Sequence, residues 1–121
     1  TRFISSDGEP AQVIDSPAVT PMRVVDLHTL AADRRDDAAA EITRERARAP
    51  FDLASEHAFR VTLVRLAGDD HVLLLETHHI VFDGWSIGIF QRELAALYRA
   101  AVTAGPNPLP ALPVQYVNFA A

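Results

Sequence analysis

Within seven positions, His78-His79-Ile80-Val81-Phe82-Asp83-Gly84, the chain gathers two imidazoles, a carboxylate and a glycine. A neutral imidazole accepts a proton, as a general base must. Neighbouring residues on a strand point to opposite faces, so His78 and His79 cannot easily act on one atom together. One of them is a candidate catalyst; the other is expected to orient the turn by hydrogen bonding. Asp83 can accept backbone N–H bonds or pair with a cation, and so brace the loop. Gly84 lets a backbone approach a substrate closely, and its N–H near a helix N-terminus favours developing negative charge. Each part has a blander reading. A lone His at a strand end is ordinarily a satisfied core residue, and Asp-Gly is ordinarily a turn. A metal held by His79 and Asp83 would need a helix between them to bring both to one face, whereas Gly84 and the preceding strand place a loop there. His28, His57 and His71 are scattered, and no GxSxG, GxxxxGK or GxGxxG pattern occurs.

The flanking segments must hold this group in place. Residues 71–79 are rich in Val, Leu and Thr, and with residues 60–66 they flank Ala67-Gly68-Asp69-Asp70, which predicts a hairpin. Val72-Leu73-Leu74-Leu75 is apolar at both parities, so this strand is expected to be covered on both faces. Residues 85–102 change to helical spacing, with Ile87, Phe90, Leu94, Leu97 and Ala101 on one stripe expected to face a core. Residues 33–49 predict another helix, acidic early at Asp33, Asp36 and Asp37 and basic late at Arg44, Arg46 and Arg48, with Pro50 as its stop. Its charges read as a solvated face. Upstream, residues 1–4 and 12–14 form a strand–turn–strand unit in which Gly8 supplies a positive φ and Pro10 is expected to block further pairing. Pro17 and Pro21 punctuate a connector, and residues 22–27 predict a third strand. Beyond Gly105 a proline-rich segment follows, after which residues 114–119 are expected to be extended. The order ββ–β–α–β–β–α places the chain in the α/β class.

Composition sets the outer limits. The 121 residues suit one domain, and 49% apolar with 22% charged residues is the balance of a folded chain rather than a disordered one. A net charge of −5 argues against nucleic acid as the main partner, since phosphate binding needs basic clusters. No run of about 18 apolar residues predicts a membrane span. The absence of cysteine removes disulfides, thiolate nucleophiles and sulfur metal sites. A cytoplasmic location is the default expectation. Thr1 rather than Met at the start leads us to expect a piece of a longer protein.

Taken in order, these residues resemble the condensation domains of nonribosomal peptide synthetases, within the chloramphenicol-acetyltransferase-like superfamily. The pattern HHxxxDG at 78–84 carries most of the likeness. Pro50-Phe51-Asp52-Leu53 followed by Phe59-Arg60-Val61-Thr62-Leu63 looks like the family's segment before its hairpin. Asp83-Gly84-Trp85-Ser86-Ile87-Gly88, running into Glu93-Leu94-Ala95-Ala96-Leu97-Tyr98, is similar to the members that join L-configured residues. Leu112-Pro113-Val114-Gln115-Tyr116 resembles the family's next motif, and Thr1-Arg2-Phe3 with Asp7-Gly8-Glu9-Pro10 the end of an earlier one. In the family an upstream arginine pairs with the aspartate of HHxxxDG, and Thr1 stands after that position. Asn118 replaces a frequent acid and His57 a frequent proline.

The resemblance implies a mixed-sheet, two-layer α–β sandwich, with residues 1–121 forming part of the N-terminal lobe and the early helices and second lobe lying outside them. It implies amide-bond formation in the parent domain. An acceptor amine attacks a donor thioester, both delivered on phosphopantetheine arms of carrier proteins, with no cofactor bound by the domain itself. His79 would act as base or as positioner of the amine, and Gly84 would contribute near the oxyanion. His78 and Asp83 would be structural. An adenylation domain and the second lobe are the other expected partners, and the isolated chain is expected to be inactive. The alternatives are epimerisation or acyl transfer to an alcohol on the same scaffold, or a non-catalytic domain that recruits a partner protein.

Overall fold

The computed structural model describes residues 1–16, 18–116 and 118. They fall into two compact units, Thr1–Val81 and the residues from Phe82 onward.

The first unit opens with a hairpin of β1 (Arg2–Ser6) and β2 (Glu9–Val13). Asp7 and Gly8 both take positive φ, 54° and 86°, as a two-residue hairpin loop of the primed type requires. Pro10 does not stop the pairing: it lies inside β2 opposite Ser5. Pairs alternate between hydrogen-bonded and non-hydrogen-bonded along an antiparallel ladder, and Ser6 and Glu9 close the turn. Pro10 therefore falls at a non-bonded position, where its missing N–H is not needed. Arg2 anchors the hairpin through a forked contact to Asp15, Nη2 to Oδ1 at 2.8 Å.

A three-stranded mixed sheet follows, in the order β3 (Met22–Asp26), β4 (Phe59–Arg65), β5 (His71–Thr77). β3 and β4 run parallel, which demands a crossover, and α1 (Ala32–Arg48) supplies it. β4 and β5 form the expected antiparallel hairpin. Register decides the faces. Val64 pairs with Val72 and Thr62 with Leu74, and these side chains share the face that α1 covers. The core gathers there: Leu27, Ala39, Val64 and Leu66, with Val25, Ile42, Val72 and Leu74 packed around them. This is one helix layer on one sheet layer.

β5 departs from the expectation of cover on both faces. Val72 and Leu74 pack on the core, while Leu73 and Leu75 stand exposed at 41% and 39%. They continue two apolar rows across the sheet's other side, Met22–Val61–Leu75 and Val24–Leu63–Leu73. The apolar run thus serves two different surfaces, of which the described residues bury one.

In the second unit α2 (Gly84–Val102) forms as its spacing predicts. Its stripe is not buried among the described residues, however. No residue of α2 is buried, and Ile87, Leu94 and Leu97 are exposed. The described residues among 114–119 also differ from the extended expectation. Tyr116 and Asn118 are helical, and Gln115 and Asn118 bond reciprocally, N–H of Asn118 to the Gln115 carbonyl and N–H of Gln115 to the Asn118 side-chain oxygen. That local closure competes with extension. Val117 and Phe119 lie outside the described residues.

Val64 is fully buried at the centre of the one described core. Val64→Ala should cost the parent domain about 2 kcal/mol of stability, from lost transfer energy plus the cavity left behind. A urea titration of the parent domain checks it; an unchanged midpoint would mean that the site collapses without a void.

Candidate active site

β5 ends at Thr77, so neither His78 nor His79 lies on the strand, and the strand-parity argument for separating them does not apply. A turn separates them instead. The Val81 N–H donates to the His78 carbonyl at 3.1 Å, which closes the chain over residues 78–81. The His78 N–H in turn donates to the Ala58 carbonyl at 3.0 Å, tying the start of this turn to the connector ahead of β4.

The two imidazoles have different surroundings. His78 is half-buried, and its Nδ1 accepts from the Ile80 N–H at 3.1 Å. An accepting Nδ1 in a neutral ring assigns the proton to Nε2. The Phe51 ring meets the His78 ring edge-on, centroids 6.1 Å apart and planes at 85°. His78 also lines a cleft of about 750 Å³ with Arg46, Phe51 and Glu76. His79 is exposed, and its ring makes no hydrogen bond among the described residues. It is not the satisfied core residue that a strand end ordinarily holds.

Behind His78 stands a charged cluster that sequence reasoning missed. Glu76, eleven per cent exposed at its side chain, sits on the α1 face of β5. Its Oε2 accepts from Arg46 Nε at 2.9 Å, and its Oε1 lies 3.6 Å from Arg60 Nη1, a charge contact too long for a hydrogen bond. Arg46 therefore leaves the solvated face assigned to its helix. Arg60 also donates to Glu56 and to the Pro50 carbonyl, and its guanidinium lies 4.0 Å above the Phe51 ring. Glu56, ahead of the other contributors, pushes the Arg60 guanidinium further toward its protonated form, and Arg60 holds the Glu56 carboxyl below the ordinary range. The i, i+4 spacing of Glu56 and Arg60 and the lone acid in an apolar strand were the available signals.

In the second unit Asp83 is the N-cap of α2. Its Oδ1 accepts from the Ser86 N–H at 2.9 Å and the Ser86 hydroxyl at 2.7 Å, and the Ser86 Oγ lies 3.4 Å from the Asp83 N–H. This is a capping box. The hydroxyl bond first, then the backbone bond, holds the Asp83 carboxyl below the usual carboxylate range. Gly84 is the first helical residue. A Cβ added there would meet nothing within 4 Å, so neither a positive φ nor a neighbour in the described chain demands glycine. Its N–H is one of the first four of the helix, which have no intrahelical acceptor.

The fold, a mixed sheet with a crossover helix, is that of a condensation-type lobe. The condensation-domain family model matches residues 1–121, and the chain belongs to that family. It is 44% identical over 120 residues to phosphinothricin tripeptide synthetase PhsC of Streptomyces viridochromogenes, and 43% identical over 120 residues to a linear gramicidin synthase polypeptide of Brevibacillus parabrevis. Each likeness covers 99% of the chain but only 11% and 2% of those proteins. The starter condensation domain of rhizomide synthetase RzmA superposes with a TM-score of 0.80 at 26% identity, over 98% of this chain and 28% of that one. The first condensation domain of the calcium-dependent antibiotic synthetase, solved with a substrate analogue, gives a TM-score of 0.76 at 27% identity, over 92% and 27%.

Because the Asp83 carboxylate is favoured in the folded state, its contribution to stability is full above the ordinary aspartate pKa and is lost as pH falls through its lower folded value. Asp83→Ala should lower the melting temperature of the parent domain at neutral pH, and the deficit should shrink below about pH 4. Melting curves across that range check it. A deficit that persists undiminished in acid would mean that the cap does not act through its charge.

Proposed function

We propose that the domain containing this chain forms amide bonds between carrier-bound substrates, and that His79 is its catalytic imidazole. One observation carries the reading: within a family-matching HHxxxDG segment, His78 is tied by its ring to Ile80 and Phe51 while the His79 ring is exposed and uncommitted. The lone pair of an acceptor aminoacyl amine attacks the thioester carbonyl of a donor acyl or peptidyl group. The carbonyl oxygen gains charge, the C–S bond breaks as the carbonyl re-forms, and the donor arm leaves as a thiolate that takes up the proton the amine gives off. His79 takes up the amine proton or holds the amine in line, and the Gly84 N–H at the start of α2 stabilises the oxyanion. His78 and Asp83 shape the turn and the helix start.

Both substrates arrive on phosphopantetheine arms of carrier proteins, so the domain needs no cofactor of its own. The Asp83-Gly84-Trp85-Ser86 sequence favours the subtype that joins L-configured residues. The chain supplies part of an N-terminal lobe, and the second lobe and an adenylation domain complete the setting, which we place in the cytoplasm. Relatives that are synthetases of named peptides support this reading.

In the full-length parent, His79→Ala should slow amide formation by roughly 10²–10⁴-fold while carrier binding persists. Single-turnover assays with loaded carriers measure it, and retention of more than about a tenth of the rate would remove His79 from the chemistry. Gly84→Ala gives a separate check. Open space at its Cα predicts a melting temperature close to the parent's, so a lost rate would report on the substrate side of the residue. Unaltered turnover would show that the backbone there stays clear of the reacting groups.

A further inference from the structure

We infer that Arg60 is a positioning residue for the reaction, acting on the His79 turn through Phe51 and His78. The inference rests on the assignment of His79 proposed above.

The contacts form one continuous chain within the first unit. Arg60 lies in β4, away from the HHxxxDG segment in sequence, yet its guanidinium is fully occupied. Glu56 accepts from Nε and Nη2, the Pro50 carbonyl accepts from Nη2 at 2.6 Å, and the Ala49 carbonyl lies 3.4 Å from Nη1. Glu76 faces the same group at 3.6 Å. Contacts on its edges fix the plane of the cation, and the Phe51 ring lies over one of its two faces at 4.0 Å. The grip on the Pro50 carbonyl fixes the residue before Phe51, so Arg60 holds both the ring and the backbone that carries it.

Phe51 then meets His78 edge-to-face, the orientation that the ring quadrupole favours. His78 passes the constraint to the turn by accepting the Ile80 N–H, and His79 lies between those two residues. Ring rotation at His78 would release the Ile80 N–H and let residues 79–80 reorient. No hydrogen bond, ion pair or ring contact among the described residues joins Arg60 to His79. Its effect is on geometry, where misplacement of a reacting group by about 1 Å can cost 10²-fold.

A lysine at this position keeps the charge beside Glu56 and Glu76 but loses the planar fork and the stacking face. Arg60→Lys in the full-length parent should therefore lower kcat roughly 10-fold to 100-fold and leave KM for both loaded carriers within about twofold. Phe51→Leu leaves all the Arg60 ion pairs in place and should produce the same loss. The double variant should be no slower than either single one, because both break the same chain of contacts. In a His78→Ala background, Arg60→Lys should have no further effect on kcat. Should Arg60→Lys fail to fold, Phe51→Leu alone and in the His78→Ala background carries the test.

An unchanged kcat in Phe51→Leu or Arg60→Lys would overturn the inference, as would losses that multiply in the double variant or a loss confined to KM. His79→Ala is run beside them. If it too retains activity, the assignment of His79 fails; if it is inactive while Arg60→Lys and Phe51→Leu turn over normally, only the positioning role fails.

Discussion

A carboxylate taken out of water at the end of a strand has to be met by cations, and Glu76 imposes that requirement on everything around it. Arg46, from the last turn of α1, answers one oxygen, and Arg60, near the start of β4, approaches the other. One half-buried acid thus fixes where a helix ends relative to two strands. Apolar packing alone would hold α1 on the sheet, but it is non-directional and tolerates sliding. The ion pairs supply the register that the small core of Leu27, Ala39, Val64 and Leu66 leaves open.

The two ends of the HHxxxDG segment are secured by unrelated means. At the histidine end the devices are aromatic and backbone contacts, which hold one ring and expose the other. At the aspartate end a reciprocal capping box begins α2 and costs the helix none of its length. Asp83 is therefore accounted for by helix geometry alone, and Gly84, unlike it, is not required by any contact in the described chain. A residue whose identity its own surroundings do not explain is where an external demand, such as a substrate, becomes a physical reason.

Much of the architecture is legible in the sequence because alternation and 3.6-residue spacing leave few choices. The β4–β5 hairpin, both helices and β3 follow from those patterns to within a residue or two. What escapes is set by partners distant in sequence. Nothing local says that Arg46, one arginine among several on α1, reaches a strand that begins more than twenty residues later. The strand ends at Thr77, because the His78 carbonyl closes a turn onto Val81 rather than continuing a ladder. Pro10 is tolerated because proline is excluded only from hydrogen-bonded positions, and parity from the Asp7-Gly8 turn decides which those are. The helical turn at Tyr116 arises from a side-chain bond between Gln115 and Asn118 that propensity does not register.

The parallel pairing of β3 with β4 has a consequence for the growing chain. A nascent polypeptide emerges at about 5–20 residues per second, and β3 must wait for α1 and the whole connector before its partner strand exists. Helix formation in α1 is far faster than that wait. The helix can therefore stand complete while Met22 and Val24 remain without a ladder, and the first sheet contact must close a long loop. The antiparallel β4–β5 hairpin, joined by a short turn, can assemble almost as soon as it is made. Folding of the three-stranded sheet should then proceed from its later strands back to its earlier one, opposite to the order of synthesis.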